Sequence, residues 1–340
     1  MISGGKTAVM TAFGGPEVFE VQQLPIPEPA VDEVRVRIAA VGVAYADVKM
    51  RHGLYKTAPN PPMTTGYDFS GVIDAVGRDV KGFKVGDQCI GLSFYGASAE
   101  YLTIKTDHIA LAPDGLDHIA GAAIPLNYIT AYQMLERLAV VSKGDTILLH
   151  GAAGGVSTAI LDLVKNSGLN VYGTASAGKH DLVRAYGATP IDYRTESFAD
   201  VMKSVGGADA VFDHIAGKHI AESSAAAKRD GRVIVYGFMS GVMGEKFFML
   251  RSFYELLRMK FFSHQEPHFY AILTKGFDQM EHIPEDLKYL AQEVANNNLK
   301  PNVGKVLTLD DIAEAHRLLE AGEVTGKIVL TVNKDLVDVK

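Results

Sequence analysis

Residues 146–168 read TILLHGAAGGVSTAILDLVKNSG, and this stretch decides the fold. It opens with a short apolar run, Thr146 to His150, of the length and composition of a buried strand. A glycine-rich turn follows, Gly151-Ala152-Ala153-Gly154-Gly155-Val156-Ser157, and then apolar residues at helical spacing from Thr158 onward. Strand, tight turn and helix in this order make a site for a dinucleotide. The turn lets backbone approach a pyrophosphate, while the first N–H groups of the helix and the positive end of its dipole face the anion. Gly154 is the point of closest approach, and Ala153, Gly155 and Val156 belong to the same turn. The usual G-x-G-x-x-G spacing is degraded, with Ala152 at the first glycine and Ser157 at the third, where a small side chain still lets helix and strand pack. On spacing alone a purely structural turn is the competing reading. The place of the turn, after a strand and before a helix, favours the binding one.

Working outward, the rhythm from about Asn127 is strand, helix, strand, helix, with strands at TILLH, NVYGT, ADAVFD and RVIVYG. Such alternation implies a parallel sheet with helices on both faces. From Thr7 to about Leu111 the pattern is instead β-rich runs such as VRVRIAAVGV, GVIDAVG and AEYLTI, parted by Gly, Pro and Asp turns. Past roughly His268 come a polar helix (Pro284 to Asn297), KVLTLDD, the helix IAEAHRLLEAG and a final strand KIVLTV, which return to the first domain. The expected class is therefore α/β: a mostly β domain from residues 1–126 and 268–340, and a doubly wound parallel-sheet domain over 127–267. A chain of 340 residues is too long for one ordinary core, and two domains invite a cleft between them. The most apolar segment, FFMLRSFYELLRMKFF (247–262), reads as a helix leading to the last strand of the parallel sheet and as a subunit contact; a membrane-surface helix is the other reading.

Composition narrows the partners. With 47% apolar and 21% charged residues the chain has material for packed cores. A net charge of −7 without a Lys/Arg run argues against nucleic acid, whose phosphates must be neutralised. No apolar run is long enough for an integral membrane segment, and the N-terminal stretch lacks the apolar core of a secretory signal, so a cytoplasmic location is expected. The single cysteine, Cys89, closes no intrachain disulfide and supplies no structural zinc site. His264 and His268 have a spacing that suits a metal only on a helix, which Pro267 opposes. The expectation is that no metal is bound.

The end of the second strand chooses the dinucleotide. An NAD site needs a carboxylate there for the ribose 2′-hydroxyl, whereas an NADP site needs cations or hydroxyls around a 2′-phosphate. This chain has Gly173-Thr174-Ala175-Ser176-Ala177-Gly178-Lys179 and no acid until Asp181. Ser176 and Lys179 suit the phosphate, and a lysine in the first turn of a helix opposes the dipole unless an anion binds beside it. NADPH is the expected cofactor.

The stretches GVAYADVKMRHGLY, TTGYDFSGVIDAVG, FKVGD, AAIPLNYITAY, HGAAGGVS, GTASAGKH, PIDY and TGKIVL together resemble the zinc-free quinone oxidoreductase branch of the medium-chain dehydrogenase/reductase superfamily, over essentially the whole chain. LNYITAY, GTASAGKH and PIDY look most like its VAT-1-like members. The resemblance implies a GroES-like catalytic domain made from both chain ends, a Rossmann domain between them, and NADPH. It also implies that Tyr193 stands with Lys179 near the adenosine phosphate, that Thr130 lies near the nicotinamide, and that Gly237, Phe238 and Ser240 belong to a loop touching the cofactor. Zinc-dependent cousins carry Cys, His and Cys where this chain has Ala44, Tyr67 and Leu126, none of them a usual zinc ligand. Many quinone reductases carry Asn at the position of Ala44, a departure that bears on how substrate sits.

The function implied is hydride transfer from NADPH to a quinone or an α,β-unsaturated carbonyl, whose product anion is delocalised and asks for a proton instead of a Lewis acid. Tyr55 is the first candidate donor and Tyr128 the second, with Tyr45, Tyr67 and water behind them. The alternative is an NADPH-binding protein of lipid or vesicle association with little catalysis. A homodimer is expected.

Overall fold

The run VRVRIAAVGV alternates at first and then becomes wholly apolar, and the strand it forms is buried on one face at its start and on both at its end. In this computed structural model, residues 4–272 and 282–337 are described. They fall into two units, residues 4–129 with 282–337 and residues 130–272. Before residue 130 the strands are β1 (Gly4–Met10), β2 (Phe19–Pro25), β3 (Glu33–Val43), β4 (Met63–Thr64), β5 (Asp68–Val76), β6 (Gln88–Leu92), β7 (Tyr101–Lys105) and β8 (Ile109–Leu111). Helix α1 (Tyr45–Arg51) leaves the end of β3, and α2 (His118–Ala123) follows β8. The VRVRIAAVGV strand is β3, and it pairs antiparallel with both β5 and β7. Val36, Ile38, Phe69, Ile73 and Ile104 fill the core beneath it. Small residues let α2 lie close: Ala122 and Ala123 pack on Ala40.

Helix α3 (Pro125–Met134) carries the chain into the second unit, which holds β9 (Thr146–Leu149), α4 (Gly155–Val164), β10 (Asn170–Ala175), α5 (His180–Ala185), β11 (Thr189–Asp192), α6 (Phe198–Ser204), β12 (Ala208–Asp213), α7 (His219–Ala226), β13 (Ala227–Val235), α8 (Met239–Val242), α9 (Phe248–Phe262) and β14 (Glu266–Phe269). All its strand pairs are parallel, in the order β11-β10-β9-β12-β13-β14. The order reverses beside β9, so the crevice at a topological switch point lies between the carboxyl ends of β9 and β12. The strand of residues 266–269 carries this sheet past residue 267, where the sequence reading ended it. It also places Pro267 and His268 in one strand and not on a helix.

The C-terminal part supplies α10 (Ile283–Ala295), β15 (Val303–Thr308), α11 (Ile312–Glu320), β16 (Lys327–Thr331) and α12 (Lys334–Val337). β16 pairs antiparallel with β3, and β15 joins β16, completing the seven-stranded sheet of the first unit from the far end of the chain. The class is α/β, a mostly β unit made from both chain ends and a parallel-sheet unit between them.

Helix α9 is built inside out. Its inner face holds Ser252, Glu255 and Met259, while Phe247 beside it, Leu250, Phe253, Tyr254, Phe261 and Phe262 are exposed. The buried Glu255 is held by Arg251 at 3.1 Å and Arg258 at 2.8 Å. Among the described residues no helix is long and apolar enough to cross a membrane.

Candidate functional site

The turn after β9 is a close fit of backbone on backbone. Gly151 has φ +58°, and a Cβ there would lie 2.7 Å from the His214 ring, so both conformation and space demand glycine. Its N–H donates to Thr174 Oγ1 (3.1 Å), and the N–H of Ala152 donates to the Thr174 carbonyl (2.8 Å). Gly173 makes room for this, since a Cβ on it would come within 2.4 Å of the Ala152 methyl. Gly154 differs from Gly151. It caps α4 at φ −81°, and the one protein atom within 4 Å of an added Cβ is the Gly151 carbonyl oxygen at 3.2 Å. That side of the turn is open, and the N–H groups that begin α4 have no partner inside the helix. Ser157 is buried, and its hydroxyl donates to the His150 carbonyl (3.1 Å), tying helix to strand.

At the next strand end, parallel register pairs Ala175 with Asp192, so Ser176 and Tyr193 are the next residues on two adjacent strand ends. Ser176 opens the 3-10 turn Ala177–Lys179, and burial holds the Lys179 ammonium below the ordinary lysine range. Tyr193 is exposed, with the Arg194 guanidinium 5.8 Å from its ring centre. Arg194 is a second cation here that sequence reasoning missed, although its place directly after PIDY was the signal.

Across the switch point, the loop after β12 meets the loop after β13. A Cβ on Gly237 would fall 2.5 Å from the His214 carbonyl oxygen, and the N–H groups of Met239 and Ser240 donate to His214 and Ile215. The Phe238 ring turns into the core against Phe248 and Phe269, leaving its backbone to the loop. Ser240 is buried.

A polar chain that sequence reasoning also missed runs beneath these loops. Asp213 accepts from Ile215 N (2.8 Å), Ala216 N (2.9 Å), His219 Nδ1 (3.0 Å) and Ser223 Oγ (2.7 Å). Burial works to raise its pKa, but His219 and these donors hold it well below the usual carboxylate range. Because Ser223 gives its proton to Asp213, it accepts from His150 Nε2 (3.2 Å), which leaves Nδ1 to face the Thr174 hydroxyl (3.4 Å). Burial pushes His150 down to about 3 and His214 to about 4, so both are neutral near pH 7. His150, Asp213 and His219 each bring a ligand atom within 4.8 Å of the others, a set able to take a cation. Those atoms are already hydrogen-bonded to one another or to Ser223, and the chain locks the turn after β9 to the loop after β12.

In the first unit, Tyr55 and the buried Tyr67 share a hydrogen bond of 3.0 Å between hydroxyls. Asp47 takes the N–H of Ala44 (2.8 Å) and of Gly66 (2.9 Å), so it joins the end of β3 to the start of β5. Burial raises Asp47 to about 6. Asp68 accepts from Leu126 N (3.2 Å) and from the buried Lys327 (2.8 Å). Ala44, Tyr67 and Leu126 are thus held around one frame of carboxylates, with no thiol or imidazole at any of the three. Tyr128 and Thr130 are both buried, two residues apart on α3. Cys89 is buried, which pushes its thiol up and leaves it inert.

Residues 30–114 match the alcohol dehydrogenase GroES-like domain family, and residues 186–330 match the zinc-binding dehydrogenase family. The synaptic vesicle membrane protein VAT-1 homolog of Danio rerio is 32% identical over 338 residues, covering 96% of this chain and 70% of that protein. The quinone oxidoreductase of Sus scrofa is 30% identical over 330 residues, covering 94% and 95%. Among solved structures, the Escherichia coli quinone oxidoreductase complexed with NADPH superposes with a TM-score of 0.85 at 25% identity, covering 96% of this chain and 99% of that one. With relatives of this identity matched along nearly the whole of this chain, the chain belongs to the medium-chain dehydrogenase/reductase superfamily of oxidoreductases, in the group of quinone oxidoreductases and VAT-1 homologues.

Proposed function

We propose that this oxidoreductase reduces a quinone or an α,β-unsaturated carbonyl with NADPH and without zinc. The observation that carries the cofactor assignment is the end of β10. Ser176 and Lys179 stand there beside Tyr193 and Arg194 of the adjoining strand end, and no acid lies between Gly173 and Lys179. A relative solved with NADPH supports the same reading. Ala153 to Val156 would hold the pyrophosphate against the open side of Gly154, with Ser176, Lys179 and Tyr193 on the 2′-phosphate and Thr130, Gly237, Phe238 and Ser240 towards the nicotinamide. Bound there, the reduced nicotinamide supplies a hydride.

The acceptor follows from what the protein offers around it. Ala44, Tyr67 and Leu126 give no zinc to polarise an isolated carbonyl. A conjugated acceptor spreads the incoming charge and then needs one proton, for which Tyr55, bonded to Tyr67, is the donor and Tyr128 the reserve. The names of the quinone oxidoreductase relatives support this substrate class. The test is loss of NADPH absorbance against a panel of quinones, enones and alkenals, with and without chelator, beside elemental analysis. Turnover indifferent to chelator, with substoichiometric zinc, is expected. One zinc per chain, or oxidation of simple alcohols that chelator abolishes, overturns the reading.

The second reading, lipid association with little catalysis, draws on the exposed apolar face of α9, on Lys246 and Lys260 near it, and on the VAT-1 relatives' description as vesicle membrane proteins. Flotation with anionic liposomes, together with tight NADPH binding and no turnover across the panel, would favour it.

A further inference from the structure

Lys49 lies in the last turn of α1, and its Nζ stands over the Tyr55 ring, 5.3 Å from the centroid. The chain reverses between them through Gly53 at φ +68°, with Leu54 N donating to the Lys49 carbonyl (2.9 Å), and this turn brings the ring back under the ammonium. The Tyr55 hydroxyl meets that of Tyr67, whose ring is packed edge-on against Phe94 at 5.7 Å. Burial pushes Lys49 down to about 8 and pushes the Tyr55 hydroxyl up. The charge of Asp47 opposes ionisation of Tyr55, while side-chain hydrogen bonds from Tyr67 and Thr57 favour it. Asp47 on α1 holds two backbone N–H groups, Glu320 from α11 takes Arg51 and His52, Asp68 on β5 pairs with Lys327 on β16, and His108 packs behind Phe94.

An ammonium over the face of a phenol gains modestly from the ring, and far more once the oxygen carries a full negative charge. We propose that Lys49 is a positioning residue that stabilises the phenolate left on Tyr55 when Tyr55 gives its proton to the reduced acceptor, with the Tyr67 hydroxyl donating to the same oxygen. This rests on the reading of Tyr55 as the acid. Hydride addition leaves the acceptor as an enolate or hydroquinone anion. The Tyr55 O–H bond breaks, its proton bonds to that anion, the electron pair stays on the Tyr55 oxygen, and a proton from water restores the phenol. Lys49 helps only while charged, so kcat/KM falls as pH rises through about 8.

Two measurements decide this. The first uses no cofactor or acceptor: the titration of the Tyr55 Cζ signal by carbon NMR in Lys49→Arg and Lys49→Gln. Arginine stays charged while a tyrosine ionises, so Tyr55 should titrate about one pH unit lower in the arginine variant, a tenfold change in its acid constant. Coincident titrations overturn the proposal. The second is the pH profile of turnover. In Lys49→Gln the rate near pH 7 should drop about tenfold and lose the fall near pH 8, Lys49→Arg should carry that fall well above pH 8, and in a Tyr55→Phe background the two variants should match. A profile that keeps its fall near pH 8 without Lys49, or a Lys49 effect that survives Tyr55→Phe, refutes the role. Absence of turnover with every acceptor refutes the acceptor class proposed above and the catalytic half of this inference with it, whereas the NMR contrast still reports whether the cation faces Tyr55.

Discussion

Lys179 and Gly154 show how far single residues can be argued. A lysine on a phosphate makes a charge-assisted hydrogen bond of about 1.5–3 kcal/mol, or roughly ten- to a hundredfold in affinity. Arg194, at the adjoining strand end, is a second cation for the proposed phosphate site, which places Lys179→Ala toward the lower figure for NADPH. NADH lacks the phosphate, so its affinity should stay as it is. Titration of both reduced cofactors at fixed ionic strength checks this, and equal losses would mean that Lys179 holds the turn and does not read the phosphate. For the loop, Gly154→Val should leave a folded chain that no longer binds NADPH, because φ −81° suits any residue and the added bulk projects into the open side. Gly151→Val should instead lower the melting temperature, through φ +58° and collision with His214. Circular dichroism beside cofactor titration separates the two, and unchanged affinity in folded Gly154→Val would remove the loop from the site. These positions are legible in sequence because a turn motif carries them within a few neighbours. His150, Asp213, His219 and Ser223 are not, since they meet through parallel register and a helix face, far apart along the chain.

Among the elements, α11 and α9 carry the sharpest expectations. His316 on α11 is buried against the Phe19 ring at 4.5 Å, and burial pushes it down to about 3 from an ordinary 6.5. The unfolded chain takes a proton there near pH 6.5 while the folded chain resists until about pH 3, so stability is whole above pH 6.5 and falls as pH drops through that window. The slope from this one residue is about 1 kcal/mol per pH unit. His316→Phe, which keeps the ring contact, should flatten the acid side of a melting-temperature profile, and an unaltered slope would show that His316 charges freely in the fold. Helix α9 was readable as a helix followed by a strand, but not its direction of facing. Apolar character alone would bury its aromatic rings, yet the structure turns Ser252, Glu255 and Met259 inward and leaves Phe253 61% exposed. Exposed apolar patches of this kind mark contacts. We expect a homodimer through this face, so sedimentation should give two chains for the native protein and one for Leu250→Glu with Phe253→Glu. A variant that still sediments as two chains would move the contact elsewhere.

For the molecule as a whole, the halves were legible because their rhythms differ: period-two runs parted by turns in one, strand alternating with helix in the other. The return of the C-terminus was legible too, and β16 pairs with β3 along Ile328–Thr331. The sequence by itself determined the class of fold, the glycine-rich turn between a strand and a helix, the lack of thiol or imidazole at Ala44, Tyr67 and Leu126, and the presence of a cation at Lys179. Each is a matter of residue type and short spacing, and local backbone geometry follows from those directly. Only the tertiary structure decided that Lys49 stands over Tyr55, that Lys327 closes on Asp68 from the opposite end of the chain, and that α9 shows its apolar face. Those outcomes depend on which surfaces the packing leaves dry, and desolvation, which sets the charge of Lys49, His150 and Asp47, exists only once distant segments have closed around them.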